Sequence, residues 1–331
     1  MNPNDRGEAP MAPIRQEFEL QNPLGLTIRG KVIRPAAAEP HPATVFIIHG
    51  YKGFIDWGFF PTLFDSLAGA GLRVVAFNMS GSGIAPDWET CSETALFEQN
   101  TYSQELLDIQ TVVRSFTRES NGWPFPLAGP TALLGHSRGG GIALLASANV
   151  PRLQTIVTWA SICRVDRWDA QAHMKWREQG YLEVVNSRTD QKFRLTTDLL
   201  NDVEQNSGRL ELETALRGLT IPVLLLHGEK DDAVGVDECR KLFAWKSAHS
   251  GQEVPEEQAM PPALANLPVP PETDLRWGAE GSLQALVKWA GHTFDAEHPL
   301  PDPPPERLLS VIELTTAWLR WHLLDSKKGL S

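Results

Sequence analysis

The stretch LLGHSRGGGIALL, residues 133–145, places a serine where an apolar strand is predicted to end and a helix to begin. Ser137 lies between Gly135 and Gly139, in the pattern Gly-x-Ser-x-Gly. Small residues on both sides let the strand and the helix pass close together, so the serine occupies a tight turn with its hydroxyl exposed. The pattern predicts a nucleophilic serine. A chance match on an ordinary strand-to-helix turn is the alternative.

A serine hydroxyl is a poor nucleophile unless a base takes its proton and an acid orients that base. In enzymes with this turn, the acid follows the serine along the chain and the histidine comes last. The predicted acid is Asp231, in the loop after the apolar run IPVLLLHG, residues 221–228. The neighbouring Asp232 is the competing candidate, and a solvated turn aspartate is the alternative interpretation of Asp231.

The predicted base is His292, which follows an apolar stretch and a glycine in a loop ahead of the final helix. Because the base must be neutral, activity should fall on acidification. His298 is the rival, and we expect it to close the loop beside Pro299. The other histidines considered either lie at strand ends with structural roles or precede the acid: His49, His136, His227, His41 and His173.

The tetrahedral intermediate of acyl transfer carries an oxyanion that needs two hydrogen-bond donors. The backbone N–H of Arg138, directly after the serine, is one candidate. The second is the N–H of Tyr51, in the loop His49-Gly50-Tyr51 after an apolar strand.

Several short, continuous apolar runs are predicted to form the strands that position these residues. Runs that are apolar on both faces are typical of a parallel sheet covered by helices. They alternate with stretches of helical spacing, which indicates the α/β class. The strand runs are 43–50, 72–78, 131–136, 153–160 and 221–228, and the helical stretches are 101–118, 139–148, 237–245 and 306–324.

The whole chain, 1–331, is predicted to be one domain with two irregular regions. Residues 163–219 separate two sheet strands by more than a crossover helix needs, which indicates a cap-like insertion containing a hairpin within YLEVVNSRTDQKFRL. Residues 247–281 are crowded with proline and are expected to form a surface loop. Near the start, residues 16–33 read as an antiparallel hairpin after a loose lead-in.

Five phrases together resemble the α/β-hydrolases, and more narrowly the dienelactone-hydrolase and prolyl-oligopeptidase-like esterases: HGYKGFIDWGFFP, GHSRGGGIAL, NSRTDQKFRL, LLLHGEKDDAV and AGHTFDAEHP. The resemblance implies an eight-stranded, mostly parallel sheet, a Ser-His-Asp triad, no metal and no cofactor. Dienelactone hydrolases carry a cysteine nucleophile where this chain has Ser137, so a dienelactone substrate is not expected.

The expected reaction is cleavage of a small-molecule acyl ester through an acyl-enzyme on Ser137. Acyl-peptide or amide cleavage is the alternative, less favoured because the N-terminal propeller domain that peptidases of this group carry is not expected here. A non-catalytic binding protein of the same fold is the other, although no triad member is missing. Three tryptophans, Trp159, Trp168 and Trp176, are candidates for the substrate pocket, with burial in a small core as the alternative.

Five basic residues of the insertion offer binding to a substrate carboxylate, with a solvated face as the alternative: Arg164, Arg167, Lys175, Arg177 and Arg188. The net charge of −11 and the lack of clustered Lys and Arg argue against nucleic-acid binding. No apolar run reaches the ~18 residues needed to cross a membrane, and three scattered cysteines suggest a reducing compartment, so we expect a cytoplasmic protein. A homodimer is compatible with the sequence, but no feature requires one.

Overall fold

The structure is a computed structural model that describes residues 12–37, 40–118, 122–186, 190–248 and 267–325. Its strands are β1 (Ile14–Gln21), β2 (Thr27–Arg34), β3 (Thr44–Ile48), β4 (Arg73–Asn78), β5 (Thr131–His136), β6 (Leu153–Trp159), β7 (Tyr181–Val185), β8 (Lys192–Thr196), β9 (Val223–Gly228), β10 (Thr273–Trp277) and β11 (Leu283–Val287). Its helices are α1 (Phe60–Gly69), α2 (Thr94–Glu98), α3 (Tyr102–Thr117), α4 (Arg138–Ala146), α5 (Ala170–Gln179), α6 (Thr197–Gln205), α7 (Leu212–Arg217), α8 (Val236–Ser247) and α9 (Glu306–Arg320).

Among the described residues, nine strands form the central sheet, in the order β1-β2-β4-β3-β5-β6-β9-β11-β10. The run from β4 to β11 is parallel throughout, and antiparallel strands flank it on both sides. The predicted α/β class with a mostly parallel sheet is confirmed, as is the antiparallel hairpin of β1 and β2. Because parallel strands end at the same edge, the loops after β3, β5, β9 and β11 are brought together there.

The strand count of eight is wrong, because β10 adds a ninth strand at the edge beyond β11. It lies within 247–281, so the interpretation of that stretch as a loop is wrong for Thr273–Trp277, while residues 249–266 lie outside the described part of the chain. An edge strand pairs on one side only, and none of the five residues of β10 is fully buried. It therefore lacks the continuous apolar run that marks a central strand.

Helices cover both faces of the sheet, which explains why β3, β4, β5, β9 and β11 are buried at every position. Along β3, Val45 and Ile47 pack into the core that includes residues of α1 and α9, whereas Phe46 and Ile48 pack into the core that includes residues of α3 and α4. Successive side chains of a strand point to opposite faces. Each face of the sheet therefore supplies its own hydrophobic core.

The insertion between β6 and β9 contains three helices, α5, α6 and α7, and the separate hairpin of β7 and β8. Tyr181 pairs with Thr196 and Val185 with Lys192, so the predicted hairpin is confirmed. Residues 187–189 of that segment are outside the described ranges. In the described part of the chain, no helix combines the length and apolarity needed to cross a membrane.

Candidate active site

Ser137 lies at the turn between β5 and α4, as predicted, with φ 57° and ψ −123°. A Cβ atom on Gly135 would lie 2.2 Å from the carbonyl oxygen of Gly139, and one on Gly139 would lie 2.4 Å from the carbonyl oxygen of His49. Backbone atoms cannot move aside as a flexible side chain would. The two glycines are therefore required by the close passage of strand and helix that forces Ser137 into its unusual conformation.

Asp231 and His292 are separated by 61 residues and meet at the sheet edge. Nδ1 of His292 donates a hydrogen bond of 2.7 Å to Oδ2 of Asp231. The other carboxylate oxygen, Oδ1, accepts from the N–H groups of Ala233 and Val234 at 2.9 and 2.8 Å. Asp232 is exposed, so Asp231 is the aspartate that the structure pairs with His292.

A second histidine, His227 at the end of β9, also faces Asp231. Its Nε2 donates to the carbonyl of Val234 at 2.8 Å and lies 3.2 Å from the same Oδ2 that His292 contacts. Burial alone would lower the pKa of His227, but the hydrogen bond to Asp231 raises it to about 10. Burial would likewise raise the pKa of Asp231, yet the hydrogen bonds from His227 and His292 hold it well below its usual range. Asp231 is therefore ionised at neutral pH.

His136 ties the serine turn to the loop of His292. Its Nε2 donates to the backbone carbonyl of His292 at 3.0 Å. Burial lowers the pKa of His136 to about 3, so the ring is neutral at neutral pH. Ser137 and His292 line the same cavity of about 300 Å³. The residue next to the serine thus holds the backbone of the histidine at that cavity.

The loop after β3 packs directly against the serine. A Cβ atom on Gly50 would lie 3.0 Å from Cβ of Ser137. His49 braces this loop: its Nδ1 donates to the carbonyl of Gly50 at 2.9 Å, and its Nε2 accepts from the N–H of Met79 at 3.1 Å. Burial lowers the pKa of His49 to about 4, which keeps the ring neutral for both contacts.

Within the described residues, the backbone N–H groups of the two predicted oxyanion donors make no hydrogen bond to the protein. Tyr51 lines the cavity of Ser137, and its N–H donates no hydrogen bond within the described ranges. Arg138 is the first residue of α4, where an N–H has no partner within its own helix. Both N–H groups therefore lie at the serine turn without an acceptor among the residues that the structure describes.

The side chain of Arg138 joins a buried cluster that the sequence analysis missed. Its guanidinium forms an ion pair with Glu105 at 3.1 Å and lies 3.8 Å from the ring centre of Tyr102 and 5.3 Å from that of Tyr51. The signal was present in α3, because Glu105 falls on the helix face of Tyr102 and Ile109, which is otherwise largely apolar. A charge on such a face indicates a buried partner.

Two neighbouring cavities open at this edge. The inner cavity, of about 300 Å³, is lined by Gly50, Tyr51, Lys52, Gly53, Trp57, Phe60, His136, Ser137, Asn186, His292 and Thr293. The outer cavity, of about 1120 Å³, is lined by Lys52, Phe54, Trp57, Ser82, Ile84, Glu89, Thr90, Cys91, Ser92, Thr94, Phe97, Asn186, Gln191, Phe193, Ala296, Glu297 and His298. They share Lys52, Trp57 and Asn186, so they are contiguous. The insertion contributes Asn186, Gln191 and Phe193 to these walls.

The tryptophans predicted to line the pocket do not line either cavity. Trp159, the last residue of β6, is fully buried and donates from Nε1 to Thr315 at 3.0 Å. Trp176 is fully buried in the insertion, donates to the carbonyl of Leu195 at 3.0 Å, and packs edge-on against the partly buried Trp168. The pocket assignment is wrong because these large apolar rings complete cores instead.

His298, the rival base, takes a role other than pairing with Asp231, and the described basic residues of the insertion do not line either cavity. Nδ1 of His298 accepts from the N–H of Gly58 at 3.0 Å, so His298 braces its loop as expected and does not contact Asp231. Among the basic residues of the insertion, Arg167 forms an ion pair with Glu238 and Arg177 with Glu204. The described members of that group, Arg164, Arg167, Lys175 and Arg177, are absent from the walls of both cavities, and Arg188 lies outside the described residues.

Among the side chains that the structure describes, no group of three or more His, Cys, Asp or Glu residues is arranged to hold a metal ion.

Comparison with known families gives a match over residues 39–209 to the family described as serine aminopeptidase, S33. The match covers just over half of the 331 residues. The chain belongs to this family. The S33 family consists of α/β-hydrolases, so the resemblance inferred from the sequence is confirmed.

The relatives of this S33 member are distant in sequence. The 2,6-dihydropseudooxynicotine hydrolase of Paenarthrobacter nicotinovorans is 21% identical over 198 residues, which cover 60% of this chain and 46% of that protein. The chain thus matches about half the length of that curated relative.

Solved structures share the fold over almost the whole chain. The esterase domain of a Rhodothermus marinus protein is similar with a TM-score of 0.57 and 16% identity, covering 94% of this chain and 99% of that one. Dienelactone hydrolase from Anabaena variabilis gives a TM-score of 0.56 and 14% identity, with 95% and 100% covered. These likenesses show the α/β-hydrolase fold.

Proposed function

We propose that the protein is a serine hydrolase that cleaves a carboxylic ester. Oγ of Ser137 attacks the acyl carbon while His292 takes the hydroxyl proton, and His292 then returns that proton to the departing alcohol. Water next attacks the acyl-enzyme, again with His292 as base. The acid is released and Ser137 is regenerated.

Asp231 and the two backbone donors complete this mechanism. The carboxylate of Asp231 holds the imidazole with its proton on Nδ1 and stabilises the imidazolium that forms during each proton transfer. The N–H groups of Tyr51 and Arg138 stabilise the oxyanion of the tetrahedral intermediate. The side chains of the same two residues pack against each other, which supports a fixed spacing of the donors.

One observation carries the proposal: His292 is hydrogen-bonded to Asp231 at 2.7 Å and shares a cavity with a serine held at φ 57°. A strand-to-helix turn with only a structural role does not require a strained serine beside a histidine–carboxylate pair. Family membership and the likeness to esterases add support.

Cleavage of an acyl-amide or peptide bond is the second candidate, favoured by the aminopeptidase description of the family. The same serine, histidine and backbone donors would serve it, since both reactions pass through an acyl-enzyme. The difference lies in the group that leaves and in the cavity walls that bind it.

A fluorophosphonate probe tests the nucleophile, because it reacts covalently with activated serines. The wild-type protein should be labelled and Ser137→Ala should not. Ser310→Ala, at a partly buried serine of α9 that lines neither cavity, is the matched control and should label like the wild type. Labelling that persists in Ser137→Ala, or is absent from the wild type, would overturn the proposal.

Turnover then separates the two candidate substrates. A series of p-nitrophenyl esters of increasing acyl length should be hydrolysed by the wild type, and p-nitroanilides of the same acyl groups much more slowly. A preference for the anilides would favour amide cleavage.

A further inference from the structure

The outer cavity is far larger than a short acyl chain or a simple alcohol requires. Its volume is about 1120 Å³, against about 300 Å³ for the inner cavity that contains Ser137. Cavities that bind drug-sized ligands span about 300–1,000 Å³. Because the two cavities are contiguous, an ester cleaved at Ser137 has room for one large half.

Aromatic side chains form much of the apolar wall of the outer cavity. Phe97 and Phe193 pack with ring centres 4.5 Å apart, and Trp57 and Phe54 pack around the ring of His298. Aromatic rings favour edge-to-face and offset contacts with another ring. The walls therefore suit an aromatic group better than a flexible aliphatic chain.

His298 supplies an oriented hydrogen-bond donor among these rings. Because the N–H of Gly58 donates to Nδ1 at 3.0 Å, the proton of the neutral ring must lie on Nε2. Oε1 of Glu89 lies 3.6 Å from Nε2, which is beyond hydrogen-bond distance. Within the described ranges, the Nε2–H of His298 is therefore available to an acceptor on a ligand.

Tight packing around Gly58 holds this donor in place. A Cβ atom on Gly58, whose φ is +45°, would lie 2.7 Å from the carbonyl oxygen of Glu297. The loop that contains Gly58 therefore contacts the backbone directly before His298. The ring is fixed by this contact as well as by Phe54 and Trp57.

Charge at the outer cavity argues against an anionic ligand. Two carboxylates, Glu89 and Glu297, line it, and the one lysine among its described lining residues, Lys52, donates to the carbonyl of Val185 at 2.5 Å. A carboxylate on the ligand would be repelled. A neutral oxygen, such as an ether or phenol, would not.

We propose that the outer cavity binds the larger half of the ester substrate, and that this half is a neutral aromatic group whose oxygen accepts a hydrogen bond from Nε2 of His298. This assignment rests on the proposed ester hydrolysis at Ser137. His298 is then a specificity-determining residue, while proton transfer stays with His292.

Isosteric substrates test the role of the oxygen. Ethyl 3-(4-methoxyphenyl)propanoate and ethyl 3-(4-ethylphenyl)propanoate differ in one ether oxygen, and the acetates of the two corresponding propanols place the same rings on the alcohol side. In one of these two series, the wild type should prefer the methoxy compound about three- to tenfold in kcat/KM, as expected for one neutral hydrogen bond. The methoxy ester of that series should also exceed ethyl acetate in kcat/KM.

Variants of His298 then assign the oxygen preference to its donor. His298→Phe keeps a ring but removes the donor, so the methoxy-to-ethyl ratio should fall to about one. His298→Gln retains an N–H and should restore part of the ratio. His173→Phe, at a histidine that pairs with Asp166 and does not line either cavity, should keep the wild-type ratio. The ratio is internal to each variant, so a partial loss of folded protein does not alter it.

A wild-type ratio near one in both series, or a ratio that survives in His298→Phe, would overturn the assignment. Either result leaves ester hydrolysis standing if p-nitrophenyl acetate is cleaved by the wild type and not by Ser137→Ala. Absence of both fluorophosphonate labelling and acetate turnover would instead overturn the proposed function, and the assignment with it.

Discussion

The buried ion pair of Arg138 and Glu105 allows a sharp test of how the serine turn is supported. Their side chains are only 7% and 9% exposed. Burial by itself would lower the pKa of Arg138, but Glu105, followed by Tyr102 and Tyr51, raises it. Glu105→Gln keeps the shape of the side chain and removes this counter-charge. Arg138 is then left as a buried cation without a counter-charge, packed against the rings of Tyr102 and Tyr51.

The expected loss of folding free energy in Glu105→Gln can be estimated from this geometry. Removing one partner of a buried ion pair costs about 3–5 kcal/mol of folding free energy. Two contacts persist in Glu105→Gln: the ring of Tyr102 lies 3.8 Å from the guanidinium, and the side-chain amide of Asn100 donates to Oε1 at position 105 at 2.7 Å. We therefore expect the lower end, about 3 kcal/mol.

Urea unfolding measures this loss, with Glu213→Gln as the matched control. Glu213 pairs with Arg217 on the surface of α7, where the side chains are 40% and 43% exposed. An exposed pair of this kind contributes about 0.5 kcal/mol or less. If the free energies of unfolding of Glu105→Gln and Glu213→Gln differ by about 0.5 kcal/mol or less, the buried charge of Arg138 does not need Glu105 as its counter-charge. That result would refute the reasoning.

The same variant tests the proposed oxyanion donors. Because the guanidinium packs on the ring of Tyr51, its displacement should disturb the spacing of the two N–H groups. We expect kcat for a p-nitrophenyl ester to fall about tenfold or more, while KM changes little. A trifluoromethyl ketone, which mimics the tetrahedral intermediate, should bind correspondingly less tightly. Unchanged kcat and inhibitor affinity in Glu105→Gln would refute this coupling.

Three further predictions follow from particular contacts. Asp231→Asn should lower kcat about 10³–10⁴-fold, because the amide no longer holds the His292 proton on Nδ1; a loss below tenfold in steady-state kinetics would contradict this role. Gly50→Ala places a Cβ atom 3.0 Å from Cβ of Ser137, so we expect at least a tenfold loss of kcat/KM, whereas Gly208→Ala, with open space around its Cβ position, should match the wild type. Burial raises the pKa of Asp108 from 3.8 to about 6. Between these values the folded state binds more protons than the unfolded state, so stability should fall as pH rises from 4 to 6 more steeply in the wild type than in Asp108→Asn; equal slopes in urea unfolding would exclude this effect.

Much of the fold and the candidate site could be predicted because the relevant signals are local. The run from Thr131 to His136 has consecutive apolar residues at its centre, which requires cover on both faces and so indicates a central parallel strand. The glycines at 135 and 139 act through a steric conflict within five residues. Asp231 and His292 could be placed at the sheet edge because each follows an apolar strand segment.

Other features depend on contacts between distant parts of the chain. The pairing of Glu105 with Arg138 arises only when α3 and α4 are packed. A tryptophan can complete a core or line a cavity with the same local pattern, and only the neighbours of Trp159 decide that it is buried. The chemistry at the turn of Ser137 could therefore be predicted from short segments of the sequence. The cavities, the ninth strand and the buried charge pair were decided by tertiary packing, because each depends on residues that are far apart in the sequence.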